Sequence, residues 1–211
     1  MKINEIFCSI QGESSYTGFP CVFIRLTECN LRCSWCDTQY AFYEGTELPV
    51  EKIMENVRNY NCKLVEITGG EPLLQEEVYT LIQSLLKEEY TVLIETSGSI
   101  RLDKIDPRAI KIMDIKCPNS LMAHRMDFSN FDLLKKSDEV KFVILDRIDY
   151  EYAKDIVKNY NLSERANVLF SPVHGIMSLK NLAKWILEDH INVRLQFQLQ
   201  KYIWDPETRG V

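Results

Sequence analysis

The chain has 211 residues, 45% hydrophobic and 27% charged, with a formal net charge of −6 and seven cysteines. That is enough chain for one domain with a sizeable core; the composition excludes extended disorder, and the acidic balance excludes a basic nucleic-acid-binding face. No apolar stretch is long enough for a membrane span, Met1 leads into an alternating run with no signal pattern, and an odd number of cysteines argues against full disulfide pairing, so no membrane association and a cytoplasmic setting are expected.

Taken in order, the apolar period switches between two and 3.6, as in strands alternating with helices. Strands are predicted over 2–9 and 21–27. Between them lies Ser9-Ile10-Gln11-Gly12-Glu13, and the second strand carries Arg25. A short hairpin would bring Gln11, Glu13 and Arg25 beside the next segment, Cys29-Asn-Leu-Arg-Cys33-Ser-Trp35-Cys36. Three soft ligands this close can hold one iron–sulfur cluster from a single loop. A cubane on three thiolates leaves one iron open to a substrate or cofactor. Zinc is the competing metal, with a fourth ligand from Cys8, Cys21, Cys62 or Cys117. A zinc ribbon needs a second close Cys or His pair, and His124, His174 and His190 lie far apart. Asp37 and Thr38 read locally as a helix cap.

Val50, Ile53, Met54 and Val57 then make a short helical stripe. A strand over 64–68 runs into Gly69-Gly70-Glu71-Pro72, where two glycines permit close approach of a ligand and Pro72 can start a helix. Leu74, Val78, Leu81, Ile82, Leu85 and Leu86 mark the next helix. The strand over 91–95 ends in Glu95-Thr96-Ser97-Gly98, whose hydroxyls suit a ribose or carboxylate. The strand over 111–116 ends at Lys116, a partner for a carboxylate, followed by Cys117-Pro118. Strands over 139–144 and 167–170 carry Lys141 and lead to Ser171-Pro172, where backbone groups could pair with a purine. Helices are expected around Ala153–Tyr160 and Leu179–Ile186, and a last strand over 192–198 puts Gln196 and Gln198 on one face, interior or solvated.

Strands alternating with helices after residue 60 imply a mainly parallel sheet. A closed eight-fold barrel takes about 250 residues, so the expected fold is α/β: a partial, open βα barrel. Its sheet would be mainly parallel and six-stranded with an N-terminal hairpin extension, in one domain over 1–211.

The cysteine spacing with Trp35 before the last cysteine, together with Gly-Gly-Glu-Pro, resembles the radical S-adenosylmethionine (SAM) superfamily. That resemblance implies a 4Fe–4S cluster on Cys29, Cys33 and Cys36 with SAM on the open iron. It also implies a SAM site drawn from Gly69, Gly70, Glu71, Ser97, Lys116, Pro118, Lys141 and Ser171. Ser-Ile-Gln-Gly-Glu, Phe-Ile-Arg-Leu, Cys36-Asp37-Thr38 and Gln200-Lys-Tyr-Ile-Trp204 narrow it to the 7-carboxy-7-deazaguanine synthases, over nearly the whole chain. The narrower likeness implies a radical ring contraction of 6-carboxy-5,6,7,8-tetrahydropterin with loss of ammonia, on the route to queuosine and other 7-deazapurines. It further implies Mg²⁺ on Thr38 and pterin contacts from Ile10, Gln11, Gly12, Glu13, Arg25, Thr68 and Val211, the last through the chain's C-terminal carboxylate. A one-electron reductant such as flavodoxin or ferredoxin and a homodimer are implied as partners. Gln200 departs from the family, where histidine often precedes the lysine. Two other readings stand beside this one: a glycyl-radical-enzyme activase, which needs an open groove for a protein loop, and a non-catalytic iron–sulfur redox protein, which leaves Gly-Gly-Glu-Pro without a role.

Overall fold

A computed structural model describes all 211 residues, Met1 to Val211. The chain begins with an antiparallel pair, β1 (Lys2–Ile10) and β2 (Pro20–Leu26), and a short β3 (Thr46–Glu47) that joins the far edge of β1. From β2 onward every pairing is parallel, through β4 (Leu64–Gly69), β5 (Thr91–Thr96), β6 (Ile110–Ile115), β7 (Glu139–Ile144), β8 (Asn167–Pro172) and β9 (Arg194–Leu195). The single sheet runs β3-β1-β2-β4-β5-β6-β7-β8-β9, and β3 does not pair with β9. It is an open, mainly parallel α/β sheet, as expected; the expected hairpin, β1 and β2, is continuous with the six later strands through the parallel pairing of β2 with β4, and the one unexpected strand is the two-residue β3.

The helices follow the apolar stripes. α1 (Val50–Asn59) buries Ile53, Met54 and Val57, and α2 (Glu77–Lys87) buries Val78, Leu81, Ile82 and Leu85. Leu74 lies outside α2, in a short 3-10 turn that starts at Pro72, and is exposed. α3 (Arg147–Asn159) begins under Asp146, whose carboxylate accepts from the backbone of Ile148 and Asp149. α4 (Leu162–Arg165) is a single turn; α5 (Leu179–Glu188) buries Leu182 and Ile186; α6 (Gln200–Ile203) is another single turn. No helix is long and apolar enough to cross a membrane.

The strict strand–helix alternation fails at two crossovers. Neither β5 to β6 nor β6 to β7 contains an α-helix. Pro107 sits in the first, and Pro118 and a left-handed Leu121 interrupt the second. The side chain of Asn130 ties the two together, donating to Gly98 O and Ile100 O and accepting from Leu102 N.

One face of the sheet packs on the helices in a core of 38 buried residues. The opposite face is layered. Phe23, Leu64, Leu93 and Ile112 form a small apolar floor with Cys21. One pleat further along the same strands stand Arg25, Glu66, Glu95 and Asp114, so period-two alternation stacks a charged layer above an apolar one. This layer faces the carboxyl ends of the parallel strands, where open α/β sheets hold their sites.

Candidate active site

The cysteine loop leaves the end of β2 and is pressed against the end of β4. Gly70 N donates to Leu26 O and Glu71 N to Glu28 O. A Cβ on Gly69, whose φ is +144°, would lie 2.3 Å from Leu26 O; one on Gly70 would lie 2.0 Å from Glu28 O and 2.8 Å from Cys29 Cβ. Contact between the two chain segments therefore already demands both glycines, a reason that ligand approach alone did not supply. On its other side the loop is fixed by Ser34, which bonds Ser120 O and Asn119 O. The three thiols are free, half-buried, and line one cavity. Burial pushes Cys33 up to about 11, against the opposing Lys116 ammonium, and pushes Cys29 and Cys36 up as well. Three thiols free of disulfides on one wall, with His174 as the one other Cys or His lining the cavity, are soft donors of the kind an iron–sulfur cluster takes.

Behind the loop, Glu71 is wholly buried and does not reach the cavity wall. Its carboxylate accepts from Ser97 N (2.8 Å), Ser97 Oγ (2.6 Å), Thr96 Oγ1 (2.7 Å) and Leu73 N (3.2 Å). It thereby fixes the Thr96-Ser97-Gly98 turn at the end of β5. Ser97 faces the cavity, with Thr96, Gly69 and Gly70. Lys116 also lines it, 3.0 Å from Asp114 and close to Cys33; burial would lower its ammonium, but Asp114 and the Cys33 thiol outweigh that and raise it. Ser171 is on the wall, whereas Pro118 opens a 3-10 turn away from it. Lys141 projects its ammonium into the cavity, between Glu13 (2.9 Å), Asp114 (3.1 Å) and Glu95.

The β1–β2 turn forms the opposite wall, with Ile10, Gln11, Gly12 and Glu13 all facing the cavity. Gln11 Nε2 donates to Glu66 Oε2 (2.5 Å), while Gln11 Oε1 accepts from Glu13 N (2.9 Å). The Glu13 carboxylate also receives Gln198 (3.1 Å), Gln196 (3.3 Å) and Gln200 (3.3 Å). This settles the open face in favour of the interior. β9 is only two residues long because, after Gln196 N bonds Phe170 O, the chain turns toward Glu13 and Leu199 N bonds Gly12 O. A Cβ on Gly12 would displace the Gln200 side-chain amide from its bond to Glu13 and would lie 2.9 Å from Gln200 N, a backbone atom that cannot swing aside. Thr68 donates to Glu95 Oε2 (2.9 Å). Arg25 pairs with Glu5 through Nε (2.8 Å), and its terminal nitrogens remain available on the wall as a fork for a carboxylate.

Thr38 and Asp37 sit where the two walls meet. Thr38 caps nothing; its hydroxyl donates to Asp37 Oδ1 (2.9 Å). Burial would raise the Asp37 carboxyl, but Lys201 at 2.8 Å, with Gln198 and Thr38, holds it well below the usual range. From Lys201 the chain passes over the mouth. Pro206, Glu207 and Val211 line it, and Arg209 stacks 3.7 Å from the Tyr40 ring and pairs with Glu44 (3.1 Å).

These walls enclose a cavity of about 440 Å³ that reaches every expected site residue except Glu71 and Pro118. It also holds Glu66, Glu95, Asp114, Gln198 and Lys201, to none of which the sequence assigned a role in the site. The signal for the acids was present: each interrupts an apolar strand with a charge, and a buried charge needs a partner.

Residues 24–159 match the family model of the radical SAM superfamily. The chain is 45% identical to the 7-carboxy-7-deazaguanine synthase of Koribacter versatilis, covering 100% of both chains. It is 41% identical to the enzyme of that name from Chlorobaculum tepidum, over 100% of this chain and 97% of the relative. Among solved structures, Escherichia coli QueE superposes with a TM-score of 0.80 over 94% of this chain and 93% of that one, at 22% identity, which bears on the fold alone.

Proposed function

The chain belongs to the radical SAM superfamily and within it to the 7-carboxy-7-deazaguanine synthases, and from that premise we propose how its site works. It is a carbon–nitrogen lyase that converts 6-carboxy-5,6,7,8-tetrahydropterin to 7-carboxy-7-deazaguanine, in 7-deazapurine biosynthesis. The observation that carries the assignment of roles is that one cavity is lined both by the three thiols and by Gln11, Glu13, Arg25 and Thr68. A glycyl-radical activase would need an open groove in place of these polar groups.

Cys29, Cys33 and Cys36 would hold the 4Fe–4S cluster, and Gly69, Gly70, Ser97, Lys116, Lys141 and Ser171 the SAM beside it, with Glu71 and Pro118 shaping that half from behind. When reduced, the cluster supplies the electron that splits SAM and starts radical chemistry. The protein's own part is positioning. Glu13 accepts from the guanine-like N–H edge of the pterin in place of one of the glutamine donors on its carboxylate, and Gln11, held in one amide orientation, offers its second N–H. Arg25 presents its fork to a carboxylate, with Val211 closing the pocket. Thr38 would hold Mg²⁺, a hard cation that keeps several waters and needs few protein ligands, with Asp37 at hand to accept from one of those waters. Such an ion would orient the substrate carboxylate and offset charge as the ring contracts. Ile10, Gly12 and Thr68 complete the substrate wall.

We further place the enzyme in the cytoplasm, where its reduced thiols would survive, as a single domain that works as a homodimer and takes electrons from a flavodoxin or ferredoxin. The test is anaerobic: reconstitute the cluster, supply dithionite, SAM, Mg²⁺ and carboxytetrahydropterin, and follow products by mass spectrometry. Carboxydeazaguanine formed with catalytic SAM is the expected result. 5′-Deoxyadenosine without it would discard the substrate and bring the activase forward.

A further inference from the structure

Counting charges inside the cavity leaves one acid without a counter-charge. Lys116 stands 3.0 Å from Asp114, and Lys141 is shared by Glu13, Glu95 and Asp114. Glu66, 5% exposed on β4, has neither. The residues opposite it are Phe23 on β2 and Leu93 on β5, and Arg25, one pleat on, is already paired with Glu5. From β2 it meets the buried Cys21 thiol, from β5 Glu95, from β7 Lys141, and from the β1–β2 turn Gln11 and Glu13. A buried carboxylate with two like charges nearby and no ion pair holds its proton instead of ionising.

The hydrogen bonds say which oxygen carries that proton. Glu13 N donates to Gln11 Oε1, which fixes the Gln11 amide so that its Nε2 must donate to Glu66 Oε2. Oε2 is then the acceptor of the acid, and the proton sits on Oε1. Oε1 has no protein partner, yet it is not among the sealed, unpartnered atoms of the interior, so it opens to the cavity that Glu66 lines.

We propose that Glu66 is a neutral carboxylic acid whose Oε1–H donates to the ring carbonyl of the bound substrate, beside the Glu13 carboxylate that accepts from its ring N–H. Together they match a lactam edge, a donor next to an acceptor, and reject a ring bearing two donors or two acceptors there. The assignment rests on the pterin reading of the cavity for its ligand. Burial, then Glu95 and Glu13, push the Glu66 carboxyl well above the usual carboxylate range, with Lys141 and Gln11 opposing. Such a group binds its proton more tightly folded than unfolded. It therefore contributes stability below the ordinary carboxylate range, and that contribution is lost as pH rises toward the raised value.

The test compares Glu66→Gln, which keeps a donor without a titrating proton, with Glu66→Val, which suits a parallel strand but donates nothing. In the reconstituted holoenzyme, Glu66→Gln should keep the KM for the pterin within about threefold, while Glu66→Val raises it about tenfold or more, the cost of an unmet buried carbonyl. Wild-type affinity should fall in alkali and that of Glu66→Gln should not. The thermal midpoint of Glu66→Gln should exceed wild type at neutral pH, with the gain vanishing in acid. The infrared difference between wild type and Glu66→Gln should contain a protonated carboxylic C=O band, and this readout needs no substrate. Equal damage from both variants, no damage from Glu66→Val, or no carboxylic band would each overturn the proposal. A wild type that leaves the pterin unconverted would instead overturn the substrate assignment, and the two failures are told apart by the infrared band.

Discussion

Single side chains here act through others more often than directly. Glu71 spends its whole acceptor capacity on Leu73, Thr96 and Ser97, so Glu71→Gln turns an –NH₂ toward donors it cannot satisfy. We expect about 1–3 kcal/mol of lost stability, read as a lower denaturation midpoint, and weaker SAM binding by calorimetry from a displaced Ser97. Unchanged SAM affinity would confine Glu71 to the fold. Thr38 supplies the complementary case, since its hydroxyl contacts only Asp37. Thr38→Ala should leave uncoupled SAM cleavage largely intact while lowering product formation or shifting the metal preference. Turnover that stays at the wild-type level across a magnesium titration would remove Thr38 from the site.

Elements carry the site through their ends. The Asp146 cap of α3 also accepts from Asn119 Nδ2 at 2.8 Å, and Asn119 O receives Ser34 from the cysteine loop. Asp146→Ala should therefore destabilise the fold by about 1–2 kcal/mol, measured by urea, and also slow cluster reconstitution. Normal reconstitution with the stability loss would show that the loop does not depend on the cap. This linkage was invisible in the sequence, because it joins three segments by side-chain hydrogen bonds whose partners lie 27 and 85 residues apart and follow no periodicity. The elements themselves were legible where a face is buried: α2, α3 and α5 repeat their apolar residues, and β4 to β8 run apolar between turn residues. α4 and α6, at four residues each, are too short to show a period. The cysteines, the Gly-Gly turn and the Gln11–Glu13 turn were legible as motifs. Glu66, Glu95 and Asp114 were legible only as charges interrupting apolar strands; that they converge could be read only from the sheet register.

At the scale of the molecule, the open sheet is closed functionally rather than by strand pairing. Residues 205–211 add no core side chain and are held by surface contacts such as Arg209 with Glu44, which are worth little. Removing 205–211 should move the thermal midpoint by no more than about 2 °C, while uncoupled 5′-deoxyadenosine rises at the expense of deazaguanine. Product yield equal to that of the full chain would show that this segment does not shield the pocket. The other closure, Glu13 held by Gln196, Gln198 and Gln200, sets an order of events on the ribosome. Cys36 is made long before Gln200, and at a synthesis rate of about 5–20 residues per second the interval is on the order of 10–30 s. Throughout that time a nascent chain already displays all three iron ligands but cannot yet grip a pterin, so metallation can precede substrate competence, and a stalled chain would be able to take up iron without being able to direct its chemistry.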